Sequence, residues 1–211
     1  MWTRRRILGS GVWITLIGLF STIFSTFKLI AWAGAKEILP KGFPKYKLVR
    51  MDPAEIDNRN LEIDPLDQFG IMGTSDLSID MKSYQLKISG KVAQPLSLTY
   101  DQILKYPSVM KNILLICPGY FADNGHWTGV PLTLLLQEAR IEKGAKTVTV
   151  KGGDEVSYKF STQDIFKKNV LLAYRLNDET LPPKHGFPIR LVFEGVYGGY
   201  WIKFVNEIVV S

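Results

Sequence analysis

Apolar and polar positions divide the chain into three stretches. From Ile7 to Phe27 no residue is charged. Residues 34–82 follow no period: Pro40, Pro44, Pro53 and Pro65 interrupt it, and Asp and Asn are frequent. This is the pattern of an extended irregular arm wrapped on a domain. From residue 83 onward the pattern sharpens. Gln85-Leu86-Lys87-Ile88-Ser89 alternates as a half-buried strand does. Thr99-Tyr100-Asp101-Gln102 is a capping-box start for a short helix through Leu104. The apolar run Lys111–Cys117 suits a buried strand with Cys117 at its end. Pro118 and Gly119 then force a loop, and Pro131 opens a helix with Leu132, Leu135, Leu136 and Ala139 on one face. Further on, Thr147–Lys151 predicts a strand, Ser161-Thr162-Gln163-Asp164 caps a helix, and Val170–Tyr174 forms a strand. Strands at Ile189–Phe193 and Ile202–Val210 complete the series. Strands outnumber helices without regular βαβ alternation, so the class is α+β, with residues 83–211 as one mixed, β-rich domain.

The first 33 residues read as a targeting segment. Thr3-Arg4-Arg5-Arg6-Ile7-Leu8 fits the twin-arginine export pattern, and Ala31-Trp32-Ala33 offers a small-x-small cleavage site. The apolar stretch is also close to the length that spans a bilayer, and the arginines ahead of it place the N-terminus in the cytoplasm. Both a cleaved signal and a retained membrane anchor put the remainder in the periplasm or on the outer side of the cytoplasmic membrane. The formal charge of +6 shrinks on the same division. Arg4, Arg5, Arg6 and Lys28 precede residue 34, leaving 22 of the 26 bases against 20 acids, a net of +2. Such a balance gives no basic face for a nucleic-acid partner.

Chemistry concentrates at Cys117, the single cysteine. An exported protein normally pairs its cysteines, so a lone thiol must be buried, modified or held as a thiolate by a ligand. With His126 and His185 it supplies the parts of a thiol hydrolase. One cysteine and two histidines match no closed zinc motif. The chain carries neither a Gly-x-x-x-x-Gly-Lys phosphate loop nor a Gly-x-Gly-x-x-Gly fingerprint. Arg190 lies inside the apolar run Ile189–Phe193 and must find an anion or a carboxylate there.

Taken in order, several segments resemble one family, the molybdopterin-binding domain of the sulfite oxidase group. They begin with Leu86-Lys87-Ile88-Ser89-Gly90-Lys91-Val92 and Pro95-Leu96-Ser97-Leu98-Thr99, followed by Cys117 and then Trp127-Thr128-Gly129-Val130-Pro131-Leu132. Leu172-Ala173-Tyr174 with Asn177, Leu181-Pro182, His185-Gly186-Phe187-Pro188-Ile189-Arg190-Leu191-Val192 and Tyr197-Gly198-Gly199-Tyr200-Trp201-Ile202-Lys203 complete the match, which runs from Tyr84 to Val210. The resemblance implies molybdenum and molybdopterin as cofactors. It implies that Cys117 ligates the metal and that Arg190 pairs with the cofactor's phosphate. It places His185, Trp201, Ile202 and Lys203 against the pterin. Tyr120, Phe121, His126 and Trp127 follow the ligand closely enough to line a substrate pocket.

Two departures narrow the resemblance. Residues 60–83 show nothing like the Arg-Asn-His motif of sulfite oxidases, and Cys117-Pro118-Gly119-Tyr120-Phe121 replaces the usual Cys-Val-Glu-x-Trp. With no second immunoglobulin-like domain and no Cys-x-x-Cys-His haem site, the chain is more similar to the bacterial periplasmic branch that includes the methionine sulfoxide reductase catalytic subunit. The expected activity is oxygen-atom or two-electron transfer on a small oxo compound, sulfite or a sulfoxide. A membrane haem protein or soluble cytochrome would be the electron partner. A non-catalytic pterin- or partner-binding module and the Cys/His hydrolase are the alternatives.

Overall fold

The computed structural model describes residues 35–211, so the expected export signal or anchor, residues 1–33, lies outside it. Among the described residues no helix is long and apolar enough to cross a membrane. The arm, residues 35–82, holds only short elements. These are β1 (Glu37–Ile38), α1 (Lys45–Leu48) and β2 (Ile56–Asp57), with β1 and β2 pairing in parallel. Leu39, Leu48 and Ile56 of the arm pack with Leu114, Ile116 and Ala122 in a small apolar cluster. The arm thereby lies on one face of the hairpin that carries Cys117.

Beyond the arm run β3 (Leu86–Gly90), β4 (Leu96–Leu98), α2 (Tyr100–Ile103), β5 (Val109–Cys117), β6 (Phe121–Pro131) and α3 (Leu132–Glu138). They are followed by β7 (Thr147–Gly152), β8 (Ser157–Ser161), α4 (Thr162–Lys167), β9 (Val170–Leu176), β10 (Glu179–Thr180), β11 (Arg190–Phe193) and β12 (Val205–Val210). Two five-stranded sheets result. One runs β10-β9-β6-β5, with β11 also paired to β9; the other runs β4-β3-β12-β7-β8. The sheet pairing is antiparallel except for β12 beside β3. The α+β class and the mixed, β-rich architecture expected from the sequence hold.

Local signals explain several boundaries. Thr99 accepts from the Gln102 N–H while the Gln102 side chain accepts from the Thr99 N–H, the reciprocal capping box that starts α2. Ser161 caps α4 by accepting from the Gln163 N–H. Leu132, Leu135, Leu136 and Ala139 are fully buried, as their shared face requires.

Three readings change. The segment after Gly119 is not a long loop: only Pro118-Gly119-Tyr120 turns, with Gly119 at φ 78°, and β6 begins at Phe121. A three-residue hairpin loop with a left-handed glycine suits the strand twist. Asp123-Asn124 disguises the strand in sequence, because these polar residues are buried and satisfied by the arm. The Asn124 N–H donates to Asp64 Oδ2, and the Asn124 amide donates to the carbonyls of Leu61 and Glu62. Second, β12 starts at Val205 rather than Ile202, since Phe204 has φ 53° and breaks the extended backbone. Third, a strand the sequence reading did not include, β8, forms at the exposed edge of its sheet, where Tyr158 and Phe160 alternate with polar residues.

At Gly129 the β6–β9 register shifts, and a Cβ there would lie 2.3 Å from the Leu172 carbonyl oxygen and 2.6 Å from Ala173 Cα. Both obstacles are backbone and cannot step aside. Gly129→Ala is therefore expected to cost about 1–3 kcal/mol in urea-denaturation stability. An unchanged midpoint would show that the two strands can separate freely.

Candidate cofactor site

A cavity of about 330 Å³ opens beside the end of the hairpin. Cys117, Phe121, Arg190, Trp201, Ile202 and Lys203 line it, joined by Gly70, Met72, Gly73 and Thr74 of the arm, Asp154, Val156 and Tyr158 from the β7–β8 turn, and Gly198 and Gly199. Cys117 is fixed by the last pair of the β5–β6 ladder, opposite Phe121. Gly198 lets the backbone reach the thiol: a Cβ on it would lie 2.9 Å from Cys117 Sγ and 2.4 Å from Leu115 Cδ1. Burial pushes the Cys117 thiol up from its usual value, while the charges of Arg190 and Lys203 pull it down.

Arg190 is the most constrained residue of the site. Its neighbours Ile189, Leu191, Val192 and Phe193 are all buried, and so is the guanidinium. It lies 5.6 Å from the Trp127 ring and 5.9 Å from the Trp201 ring. Nη1 donates to the His185 carbonyl at 3.1 Å, but Nε has no partner. No carboxylate pairs with it in any described salt bridge. Desolvation drags its pKa down to about 10. Stacking on two indoles recovers only about 0.5–2 kcal/mol per contact, against several for the buried charge. An anion is missing from the arithmetic.

The neighbours point the same way. Lys203 is nearly buried and spends two of its three N–H donors on the carbonyls of Thr74 at 2.8 Å and Lys184 at 2.9 Å. Desolvation, then the Arg190 charge, lowers its pKa to about 8. His185 is buried with Nε2 unpartnered, and desolvation followed by the Arg190 charge brings its pKa down to about 4. It is a neutral imidazole at pH 7. Trp201 and Ile202 are held against β11, where the Leu191 N–H donates to the Ile202 carbonyl at 2.8 Å. Two cations and two unsatisfied buried nitrogens make a donor set suited to a polar, anionic ligand.

The pocket expectations contract. Of Tyr120, Phe121, His126 and Trp127, only Phe121 lines the cavity. Tyr120 is 76% exposed at the hairpin turn. His126 is half-buried farther along β6, paired across the hairpin with Asn112. Trp127 is fully buried: its indole N–H donates to the Ile113 carbonyl, and its ring meets Phe69 and Trp201 edge-on. Tyr120 precedes β6 and His126 falls on the face opposite Phe121, whereas Trp127 shares the Phe121 face six residues farther along, where Phe69 and Trp201 cover it. His185 reaches the site through its carbonyl on Arg190 rather than by lining the cavity.

Comparison with known proteins decides the family. The profile described as "Oxidoreductase molybdopterin binding domain" matches residues 72–211. The chain belongs to the oxidoreductase molybdopterin-binding domain family. Within reach of that family, an NADH nitrate reductase of Volvox carteri is 30% identical over 168 residues, covering 63% of this chain and 19% of that protein. Its counterpart in Solanum lycopersicum is 28% identical over 161 residues, covering 61% and 18%. The solved sulfane dehydrogenase SoxCD from Paracoccus pantotrophus aligns with a TM-score of 0.60 at 26% identity, covering 64% of this chain and 39% of that one. The chain thus spans about a fifth of the length of these curated nitrate reductases.

The donor set fits the family's cofactor. Molybdopterin carries a phosphate for the buried guanidinium and a hydrogen-bonding pterin for groups such as His185 Nε2. Cys117 supplies a soft sulfur ligand at the same cavity. Among the described residues no group of three or more His, Cys, Asp or Glu could hold a metal ion.

The depressed pKa of His185 carries a pH signature. A group whose folded pKa lies below its unfolded value contributes stability that is full above about pH 6.5 and lost as pH falls through about 4. Cofactor-free protein should lose on the order of 2 kcal/mol from this residue between those limits, after allowing for solvent screening at the cavity. His185→Asn should flatten that part of a stability-versus-pH curve; superimposable curves would contradict the assignment.

Proposed function

We propose that this chain is an exported molybdenum–molybdopterin oxidoreductase. Its reaction is oxygen-atom or two-electron transfer on a small oxo compound of the sulfite or sulfoxide type. Electrons pass to or from a separate carrier, a membrane haem protein or a soluble cytochrome. The observation that carries this reading is a lone cysteine and a buried, carboxylate-free arginine on one cavity. The twin-arginine pattern at Thr3–Leu8 supports placement in the periplasm or on the outer face of the cytoplasmic membrane. Relatives named as nitrate reductase and sulfane dehydrogenase support redox chemistry.

When bound, the molybdenum centre supplies the two-electron redox and oxygen-atom transfer. The chain supplies the rest. Cys117 would supply the thiolate ligand; burial raises its pKa, the charges of Arg190 and Lys203 offset part of that, and binding to the metal would hold it deprotonated. Arg190 offers a planar donor to the phosphate, and Lys203 its third N–H. The His185 carbonyl holds the Arg190 guanidinium in place, and Trp201 and Ile202, which line the cavity, would exclude water from the edge of the pterin. A Cys/His hydrolase fits less well. His185 is buried with a pKa near 4, too weak a base at neutral pH, and His126 does not line the cavity.

Cys117→Ser is expected to abolish turnover while leaving circular dichroism unchanged and the unfolding temperature within a few degrees. A fully active serine variant would sink the metal-ligand role. Arg190→Met separates holding the cofactor from holding the fold. Replacing an uncompensated buried charge by an apolar isostere should stabilise cofactor-free protein by about 1–4 kcal/mol. Molybdenum content by elemental analysis should fall at least about tenfold in the same variant. Full loading would show that Arg190 meets no cofactor anion.

A further inference from the structure

The near-even charge balance beyond residue 34 conceals one basic stretch. From Lys36 to Met51 there are five bases, Lys36, Lys41, Lys45, Lys47 and Arg50, against Glu37 alone. The stretch is amphipathic as folded. Leu39, Phe43, Leu48, Val49 and Met51 belong to the apolar cluster against the hairpin, while Lys41, Lys45, Tyr46, Lys47 and Arg50 are exposed. Two of the bases are committed within the fold: Lys36 pairs with Glu194, and Lys45 bridges Asp64 and Asp123. Lys41, Lys47 and Arg50 enter none of the described salt bridges. Two tyrosines accompany them. Tyr46 is 72% exposed, and Tyr120, at 76%, sits on the hairpin turn that the Gly119 N–H ties to the Val49 carbonyl at 3.0 Å. Among the described residues these are the two most exposed large apolar side chains.

We infer that this part of the arm docks on an anionic phospholipid bilayer, with Lys41, Lys47 and Arg50 against the headgroups and Tyr46 and Tyr120 at the interface. The inference rests on the membrane placement proposed above and not on the cofactor reading. Unpaired cations meet lipid phosphates, and a tyrosine presents an apolar ring and a wet hydroxyl to the boundary between them. The sequence favours a bilayer over a soluble acidic partner. Only residues 28–35 separate the uncharged stretch Ile7–Phe27 from Lys36. Fully extended, those eight residues reach at most about 28 Å. A membrane that holds the uncharged stretch therefore meets the arm at high effective concentration, so three free charges suffice for a stable contact. Docked in this way, the hairpin turn three residues from Cys117 is the end of β5 and β6 nearest the bilayer.

The test uses the full chain with vesicles of phosphatidylcholine alone or of equimolar phosphatidylcholine and phosphatidylglycerol. Lysine acetylation by a water-soluble reagent, read by mass spectrometry, should fall several-fold at Lys41 and Lys47 on the anionic vesicles only. The exposed Lys105 and Lys143, outside the arm, should keep their reactivity. Sedimentation gives the partition coefficient for each vesicle type. The preference for anionic vesicles should drop about a hundredfold in a Lys41→Gln, Lys47→Gln, Arg50→Gln triple variant, about fivefold for each charge removed. Arg4, Arg5 and Arg6 are common to both proteins, so this loss isolates the arm. All three substituted side chains are exposed, and circular dichroism should be unchanged. Equal labelling of Lys41 and Lys47 on the two vesicle types overturns the inference, as does an unchanged preference in the triple variant; an acidic protein is then the partner left for this face. Cell fractionation separates the two levels. Chain confined to the cytoplasm undermines the membrane placement itself, whereas exported chain whose arm lysines stay reactive on anionic vesicles overturns the docking alone.

Discussion

A guanidinium shut inside an apolar strand with no carboxylate to meet it is the constraint on which the site depends. Arg190 lies over the rings of Trp127 and Trp201, which pack edge-on against each other, and bonds one carbonyl, yet Nε has no partner. Natural folds rarely leave such a group unpaired, because each buried ion costs several kcal/mol. The surroundings deepen the deficit: Lys203 adds a second cation, and His185 a second unpartnered nitrogen. A bound anion would pair with this charge, and its binding would add to the stability of the fold.

The rest of the fold arranges the approach to that charge. The β5–β6 hairpin carries Cys117 to the cavity, and the arm holds the hairpin in place. Lys45 of α1 bridges the buried carboxylates of Asp64 and Asp123, and Asp123 in turn anchors Gly70 at the cavity wall. Desolvation raises the Asp123 pKa, so this clasp spends electrostatic energy to fix position. The second sheet contributes the β7–β8 turn, and the segment Gly198–Lys203 closes the floor.

Much of this was legible in the sequence, for identifiable reasons. The Lys111–Cys117 run, the capping residues Thr99 and Ser161, and the leucine face after Pro131 each follow a local rule, and each element formed. Arg190 was conspicuous because an arginine among Ile189, Leu191, Val192 and Phe193 violates the pattern around it. Residues whose role depends on distant partners were not legible. Asp123-Asn124 looked like loop because the arm groups that satisfy them are about 60 residues away. Gly70, Met72 and Thr74 acquire meaning only through Asp123 and Lys203. Trp127 looked like a pocket residue by proximity to Cys117, yet it lies far enough along β6 to be covered by Phe69 and Trp201 in the core, with the Arg190 guanidinium over its ring.

The central claim is that the Cys117 thiolate completes the metal's sulfur shell at this cavity. X-ray absorption at the molybdenum edge of the loaded wild-type protein tests it directly. The account predicts three sulfur neighbours, two from the pterin dithiolene and one from Cys117. A shell of only the two pterin sulfurs, in fully loaded protein, would contradict it.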